Sequence, residues 1–260
     1  MTKAAFTGLA MLGVLFASAA TTAAEPTVSA SGLVTSDQTR PWTEGMRLND
    51  LTSAIGVDPQ AWYQGSQLYR ESAKPAQLKL KAGLLFDLQT ALTRTALLSK
   101  DNATSLLQRL HAQVESYAVT GRVPAAMNPL KQRLADENLL LEAGDHLFYV
   151  GRSEQVRVTG AVVNDCTLSF AAGGVPTTYL SQCPHHAAAD VDYVYLIQPD
   201  GHIERLGAAP WNEERAWVAN GATIYVPLRG ASGSAVVAEF NQDMAAFLAT
   251  QPPYVEPTNE

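Results

Sequence analysis

Two cysteines and two adjacent histidines are the residues of this chain whose types and spacing most readily suggest chemistry. Cys166 and Cys183 lie about 17 residues apart, and Cys183 is followed by Pro184, His185 and His186. Thiolates and imidazoles bind zinc, but neighbouring histidines cannot easily turn both rings to one ion, and no further ligand spacing follows. We expect a Cys166–Cys183 disulfide, worth about 3 kcal/mol in the chain-entropy model, with a metal site as the alternative.

Catalytic motifs are missing from the sequence. It contains no G-x-S-x-G or S-x-x-K motif, no phosphate-binding loop, no G-x-G-x-x-G and no H-E-x-x-H. Asp190 and Asp192 would share one face of an extended strand, so a carboxylate pair acting on a glycan is the enzymatic alternative. Such acids are ordinarily solvated. We predict that the protein is not an enzyme and has no catalytic residue, cofactor or metal.

Arg122 is a candidate for binding a ligand or a partner. It stands in Thr120-Gly121-Arg122, after a segment with helical periodicity. The planar guanidinium can clamp a carboxylate or sugar hydroxyls through paired donors. A structural arginine paired with an acid is the alternative.

Tryptophan is the second candidate feature. The chain has four tryptophans, whose flat faces could stack on sugars, although packing in a core or hairpin is their more common role. Trp211, between Pro210 and Asn212 after a predicted hairpin, is the one we expect to be most exposed. Sheet edges could also bind a partner by strand addition.

The N-terminus predicts the compartment. Lys3 precedes an apolar stretch over residues 4–20, and small residues follow up to Ala24. This pattern is typical of a secretory signal peptide, expected over residues 1–24, with a membrane anchor as the alternative. We expect a soluble periplasmic protein without a later membrane span. The periplasm is an oxidising compartment, where two cysteines usually form a disulfide.

Composition narrows the class of protein. The 260 residues are 47% hydrophobic and 17% charged, an ordinary globular balance that excludes disorder as a description of the whole chain. The net charge of −7 gives no electrostatic footprint for DNA or RNA, so we predict no nucleic-acid partner.

Internal similarity predicts two related units. Residues 28–34 resemble 156–162, and residues 144–152 resemble 221–229, each pair sharing a glycine beside a β-rich segment. The first pair is offset by 128 residues and the second by 77, so the first unit carries about 51 additional residues. Leucines at helical spacing occur in that region and predict a helical hairpin over about 75–120, with Leu78, Leu85, Leu88 and Leu92 on its first helix and Leu106, Leu110 and Val114 on its second.

The order of the predicted elements in each unit indicates a short helix packed on a mixed sheet, which is typical of the β-grasp fold. The short helices are expected over 48–55 and 177–182, and a strand over 191–198 leads through Pro199-Asp200-Gly201 into another strand. We predict an α+β fold with a first β-grasp (ubiquitin-like) domain over 25–152, including the hairpin, and a second over 153–230.

A separate amphipathic helix is predicted over residues 234–250. Val237, Phe240, Met244 and Phe247 lie on one helical face, and Pro252-Pro253 ends the segment. We expect the helix to dock on its own protein, with a partner or a membrane surface as the alternative.

Several short motifs occur in the order found in a known family. They are C-P at 183–184, Y-L-I-Q-P-D-G at 195–201, A-P-W-N at 209–212 and I-Y-V-P-L at 224–228. In these motifs the chain resembles the GfcC/YjbG-type family of capsule and exopolysaccharide biosynthesis proteins. Residues 144–162 also resemble periplasmic polysaccharide export proteins. Ser153 after Arg152 departs from the expected Arg-Pro.

The resemblance implies a function. It implies a non-catalytic periplasmic accessory protein of polysaccharide export that binds polysaccharide or export proteins. It also implies that the two β-grasp domains are of the SLBB type, similar to periplasmic domains of the Wza-type export channel. Arg122 looks like a family position, which adds to its candidacy as a contact residue.

Overall fold

The computed structural model describes residues 25–35, 38–97, 101–230 and 235–253. The signal peptide predicted for residues 1–24 lies outside this part of the chain. Within these ranges no helix is both long enough and apolar enough to cross a membrane.

The first unit is a five-stranded mixed sheet with one helix on its inner face. The order across the sheet is β2-β1-β5-β3-β4, where the central pair β1 and β5 is parallel and the other pairs are antiparallel. Its strands are β1 (Thr27–Gly32), β2 (Gln38–Pro41), β3 (Gln67–Tyr69), β4 (Arg122–Val123) and β5 (His146–Tyr149), and its helix is α1 (Leu48–Ile55).

The second unit repeats this arrangement. Its sheet has the order β7-β6-β10-β8-β9, again with one parallel pair, β6 and β10, at the same position. Its strands are β6 (Gln155–Gly160), β7 (Cys166–Ser169), β8 (Tyr193–Ile197), β9 (Ile203–Gly207) and β10 (Thr223–Val226), and its short helix is α4 (Pro176–Leu180). The α+β class predicted from the sequence is confirmed, with two mixed sheets of identical strand order.

Gly32 and Gly160 end the first strand of each sheet in the same conformation. Their φ angles are 84° and 101°, in the left-handed region that favours glycine. A Cβ atom would lie 2.1 Å from the Tyr149 carbonyl oxygen in the first unit and 2.3 Å from that of Val226 in the second. The sequence similarity around the two glycines thus reflects a close approach of the parallel partner strand.

The core of the first unit lies between α1 and its sheet. Leu48, Leu51 and Ile55 follow helical spacing and are buried against Leu68 and Leu147 of the sheet. Strand alternation turns the neighbouring side chains of the sheet to the opposite, outer face. The helix ends at Gly56, which has a φ of 66° and can form the left-handed C-terminal cap.

A helical hairpin separates the last two antiparallel strands of the first sheet. It consists of α2 (Lys74–Leu97) and α3 (Asp101–Ser116), inserted between β3 and β4 where the second unit has the short turn between β8 and β9. Its buried residues pack on the second sheet and are Leu84, Leu88, Leu106, Leu107, Leu110 and Val114. Leu78, which shares the helical spacing of Leu88, is 59% exposed, whereas the neighbouring Gln77 is buried.

The second sheet is covered on both faces. Helix α5 (Ala235–Ala249) buries Phe240, Met244 and Phe247 in the same cluster as the hairpin. The buried Asn241 side chain accepts a hydrogen bond from the Tyr225 hydroxyl at 2.9 Å. Because strand residues alternate, Val156 and Val158 of β6 point to the opposite face, which packs against α4.

Candidate functional site: the Arg122 junction and the cleft between the units

Arg122 is positioned by the inserted hairpin. It begins β4 directly after Gly121, whose φ of 77° turns the chain out of the insertion. The amide side chain of Gln77 on α2 accepts from the Gly121 N–H and donates to the Arg122 carbonyl, each at 2.8 Å. The buried Gln77 therefore fixes β4 to α2, the first helix of the hairpin.

The Arg122 guanidinium joins three parts of the protein. Its Nη1 donates to the carbonyls of Ala249 at 3.1 Å and Gln251 at 2.8 Å, at the end of α5. Its Nη2 donates to the carbonyl of Pro199 in the β8–β9 turn. A cation here also complements the negative end of the helix dipole. Arg122 thereby ties β4 of the first unit to the second sheet and to α5.

Burial dominates the electrostatics of Arg122. Removal from water lowers the pKa of its guanidinium, while the neighbouring Tyr69 and Asp200 act to raise it. The residue is 6% exposed, and its partners are main-chain carbonyls and not an acid. Its structural contacts are thus evident, and the predicted contact with an external ligand stays a prediction.

A cavity of about 430 Å³ adjoins Arg122. It lies between the end of the hairpin, the end of α5 and the second sheet, and Arg122, Arg157, Tyr117 and Gln251 are among its lining residues. The Arg157 guanidinium lies 5.6 Å above the Tyr117 ring and 3.1 Å from the Asp165 carboxylate. Arg157 is therefore held in place by its contacts with Tyr117 and Asp165, at the edge of this small cavity.

A larger cleft of about 1140 Å³ lies between the two units. Its first wall comes from residues 60–64, 124–128, 131, 136, 137 and 139 of the first unit, and its second wall from the turn over residues 200–203. Arg152, in the segment that links the units, also lines it. The lining combines aromatic rings, amide side chains and charges of both signs: Trp62, Tyr63, Gln60, Gln64, Asn128, Lys131, Asp136, Glu137, Arg152, Asp200 and His202.

Trp62 lines this cleft and lies against both units. A Cβ atom on Gly65 would lie 2.1 Å from its ring, and one on Gly221 of the second unit would lie 2.7 Å from it. The main-chain N–H of Trp62 donates to the Val150 carbonyl at 2.8 Å, which fixes the backbone of this residue. The indole is thus wedged across the unit boundary, and two glycines make room for it.

Two cations in the cleft have no partner in the described part of the protein. The Arg152 guanidinium and the Lys131 ammonium make no hydrogen bond or ion pair to any described residue. By contrast, Arg122 at the unit boundary is engaged with main-chain carbonyls, and Arg70 within the first unit is paired with Asp145 at 2.7 Å. Donors of this kind, next to Trp62 and Tyr63, can recognise the hydroxyl and acidic groups of a sugar chain while the rings stack on its apolar faces.

Trp211 is exposed, as expected, and Trp217 is slightly more so. Their exposed fractions are 71% and 75%, and both lie in the β9–β10 loop. The Asn212 side chain donates to the Asp192 carbonyl at 2.9 Å, and the Gln198 side chain donates to that of Trp217 at 2.8 Å. The sequence analysis missed Trp217, because nothing local distinguishes it from a core tryptophan.

The structure also shows the surroundings of the predicted disulfide, of the acidic pair Asp190 and Asp192, and of the alternative metal site. Cys166 and Cys183 form a disulfide, as predicted, which ties edge strand β7 to the segment after α4. One carboxylate oxygen of Asp190 accepts from the Asp192 N–H at 2.9 Å, so this acid caps a turn. In the described ranges, no three residues among His, Cys, Asp and Glu are grouped to hold a metal ion.

Comparison with known proteins connects this architecture to capsule biosynthesis. Residues 165–253 match the family described as Capsule biosynthesis GfcC C-terminal. The chain is also 25% identical over 194 residues to "Uncharacterized protein YjbG" of Escherichia coli (strain K12), covering 74% of this chain and 78% of that protein. The predicted resemblance to the GfcC/YjbG-type family is confirmed, and this similarity supports a role in capsule synthesis. The family and the disulfide are compatible with an exported protein.

Proposed function

We propose that this protein is a non-catalytic periplasmic accessory protein of capsule or exopolysaccharide biosynthesis and export, and that it binds polysaccharide in the cleft between its units. The observation that carries the proposal is that one cleft is lined by two cations without a partner among the described residues, Arg152 and Lys131, and by the rings of Trp62 and Tyr63. The similarity to a capsule biosynthesis family suggests that the bound polymer is a capsule polysaccharide.

We further propose that each unit is a β-grasp domain of the ubiquitin-like, SLBB type. The support is the mixed sheet with a parallel central pair and one helix on its inner face, present twice in the same strand order. This makes the protein comparable in plan to the periplasmic domains of polysaccharide export channels, with α5 docked on the second unit.

Binding to the export machinery is a second candidate function, and the exposed face of α2 favours it. Leu78 and Phe86 are eight residues apart on this helix, hence on the same side, and Phe86 is also largely exposed. Exposed apolar side chains grouped on a rigid helix are typical of protein-binding surfaces.

A titration with polysaccharide tests the main proposal. Polysaccharide purified from the surface of the strain that carries this gene is the probe, and affinity is measured for wild type, Arg152→Ala and the control Arg133→Ala, which removes an exposed arginine outside the cleft. We expect Arg152→Ala to weaken binding about tenfold, since charge-assisted hydrogen bonds are worth about 1.5–3 kcal/mol, and Arg133→Ala to have little effect. Equal affinity of all three, or no binding by wild type, would contradict the proposal.

A further inference from the structure

The outer face of the first sheet carries an unusual row of side chains. Five residues, one per strand, stand directly opposite one another in the register Thr39–Ser29–His146–Tyr69–Arg122. Side chains in register on adjacent strands share one face of a sheet. The row spans the whole sheet and ends at the buried guanidinium of the junction.

The internal repeat identifies the equivalent face of the second sheet, so that the surroundings of the two faces can be compared. The pair Ser31 and Phe148 on the parallel central strands corresponds to Thr159 and Tyr225. In the second unit Thr159 accepts a hydrogen bond from Gln113 of α3 at 3.0 Å, and Tyr225 is bonded to α5. Thr159 and Tyr225 are both 0% exposed because the hairpin and α5 cover them.

In the first unit the same face stays accessible. Phe148 is 37% exposed, Thr39 is exposed, and Ser29, Ser31 and His146 are half-buried. None of these residues lines the cleft between the units. The two faces are therefore equivalent in the repeat, and among the described residues only the second face is covered by helices of the chain.

The chemistry of the open face suits a sugar better than a protein helix. The two ring nitrogens of His146 lie 2.8 Å from the Ser29 hydroxyl and 3.0 Å from the Ser31 hydroxyl. A neutral imidazole has one N–H and one lone pair, so one serine accepts from the ring and the other donates to it. The accepting serine keeps its own O–H available as a donor, and the donating serine keeps lone pairs available as acceptors.

Aromatic rings adjoin these polar groups. The Tyr69 ring is nearly parallel to the His146 ring, with an interplanar angle of 11° and centroids 6.3 Å apart. The Phe148 ring lies against Gly32, where a Cβ atom would be 3.2 Å from it. Hydroxyl donors and acceptors next to accessible rings match a pyranose, which presents hydroxyls at its rim and C–H groups on its faces.

We propose that the outer face of the first sheet, formed by Ser29, Ser31, Tyr69, His146 and Phe148, is a second carbohydrate-binding site, separate from the cleft. This site rests on the proposed polysaccharide-binding function. Two sites on one protein raise the apparent affinity for a polymer, because binding at one increases the effective concentration at the other. Neither site then needs high affinity, and the polymer can be released one contact at a time.

The experiment uses the full mature chain and polysaccharide fragments purified from the surface of the strain that carries this gene. Affinity is measured for wild type, Phe148→Ala and Ser31→Ala, and for Val163→Ala as a control that removes an exposed apolar side chain from the second unit. The imidazole resonances of His146 are followed during the same titration. We expect Phe148→Ala to weaken binding about three- to tenfold, Val163→Ala to leave it unchanged, and the His146 resonances to shift.

The outcomes separate this site from the proposed function. Binding that Arg152→Ala weakens, but that Phe148→Ala and Ser31→Ala leave unchanged without a shift of His146, would overturn the second site and retain the cleft. No binding by wild type would overturn both. Because Ser31→Ala changes one hydroxyl only, it decides the question if Phe148→Ala fails to fold.

Discussion

Arg122 of the first unit caps the C-terminal end of α5 through the Ala249 carbonyl, 127 residues further along the chain, at an Nη1–O distance of 3.1 Å. The same guanidinium binds the turn between β8 and β9. A single side chain thus connects the two units and the last helix. The contact of Thr120 with the Thr250 carbonyl at 2.8 Å reinforces it.

Substituting Arg122→Ala should therefore destabilise the protein and loosen the end of α5. Three carbonyls would lose their donor, and we expect a loss of about 3 kcal/mol in the free energy of unfolding, with faster amide exchange near residues 245–251. Urea unfolding and hydrogen exchange measure the two effects. The exposed Arg133→Ala should change stability by less than about 0.5 kcal/mol. Wild-type stability of Arg122→Ala would contradict the clamp.

Two leucines of α2 test whether the hairpin is docked on the second unit. Leu88 is 1% exposed in the core shared with the second sheet, whereas Leu78 is largely exposed on the same helix. We expect Leu88→Ala to cost about 2–5 kcal/mol and Leu78→Ala to be nearly neutral. Chemical unfolding of both variants makes the comparison, and equal effects would mean that the helix does not pack as described.

The disulfide should be detectable and stabilising. In protein purified from its native host without reductant, the mass should be two hydrogens below that of the reduced chain. Replacing Cys166 and Cys183 by alanine together should lower the free energy of unfolding by about 3 kcal/mol in the chain-entropy model. Two thiols that react with an alkylating reagent before reduction would refute the pairing.

His185 gives stability a dependence on pH. Burial lowers the pKa of its imidazole, and its Nε2 has no hydrogen-bond partner in the described part of the chain. The unfolded chain therefore binds this proton more tightly, so the stability is present above the unfolded pKa of about 6.5 and is lost as the pH falls below it. Unfolding titrations at about pH 7.5 and pH 5 should show a smaller loss for His185→Gln than for wild type. An identical loss would exclude His185 as a source.

The helices and strands could be predicted from the sequence more completely than the contacts between them. The repeat around Gly32 and Gly160 and the helix over 48–55 could be inferred because glycine conformation and helical periodicity are local properties. The hairpin's contact with the second sheet could not, because the register of contacts between distant segments leaves little local signal. For the same reason the sequence did not reveal that Arg122 bonds to carbonyls instead of an acid.

The binding surfaces were the least predictable part. Trp211 was found from its neighbours Pro210 and Asn212, but Trp217 and the cleft around Arg152 depend on how the two units meet. The row on the outer face of the first sheet requires the pairing of strands that lie over one hundred residues apart. Only the register reveals that Ser29, Ser31 and His146 are neighbours.

The most direct test of the proposed function is the amount of surface polysaccharide made by a clean deletion strain. The strain is complemented with wild type, with Arg152→Ala and with the matched Arg133→Ala, each checked for equal abundance of the protein in the cell. We predict that deletion abolishes or strongly reduces the polysaccharide, that wild type and Arg133→Ala restore it, and that Arg152→Ala restores it poorly. Unchanged polysaccharide in the deletion strain would contradict a role in its biosynthesis or export.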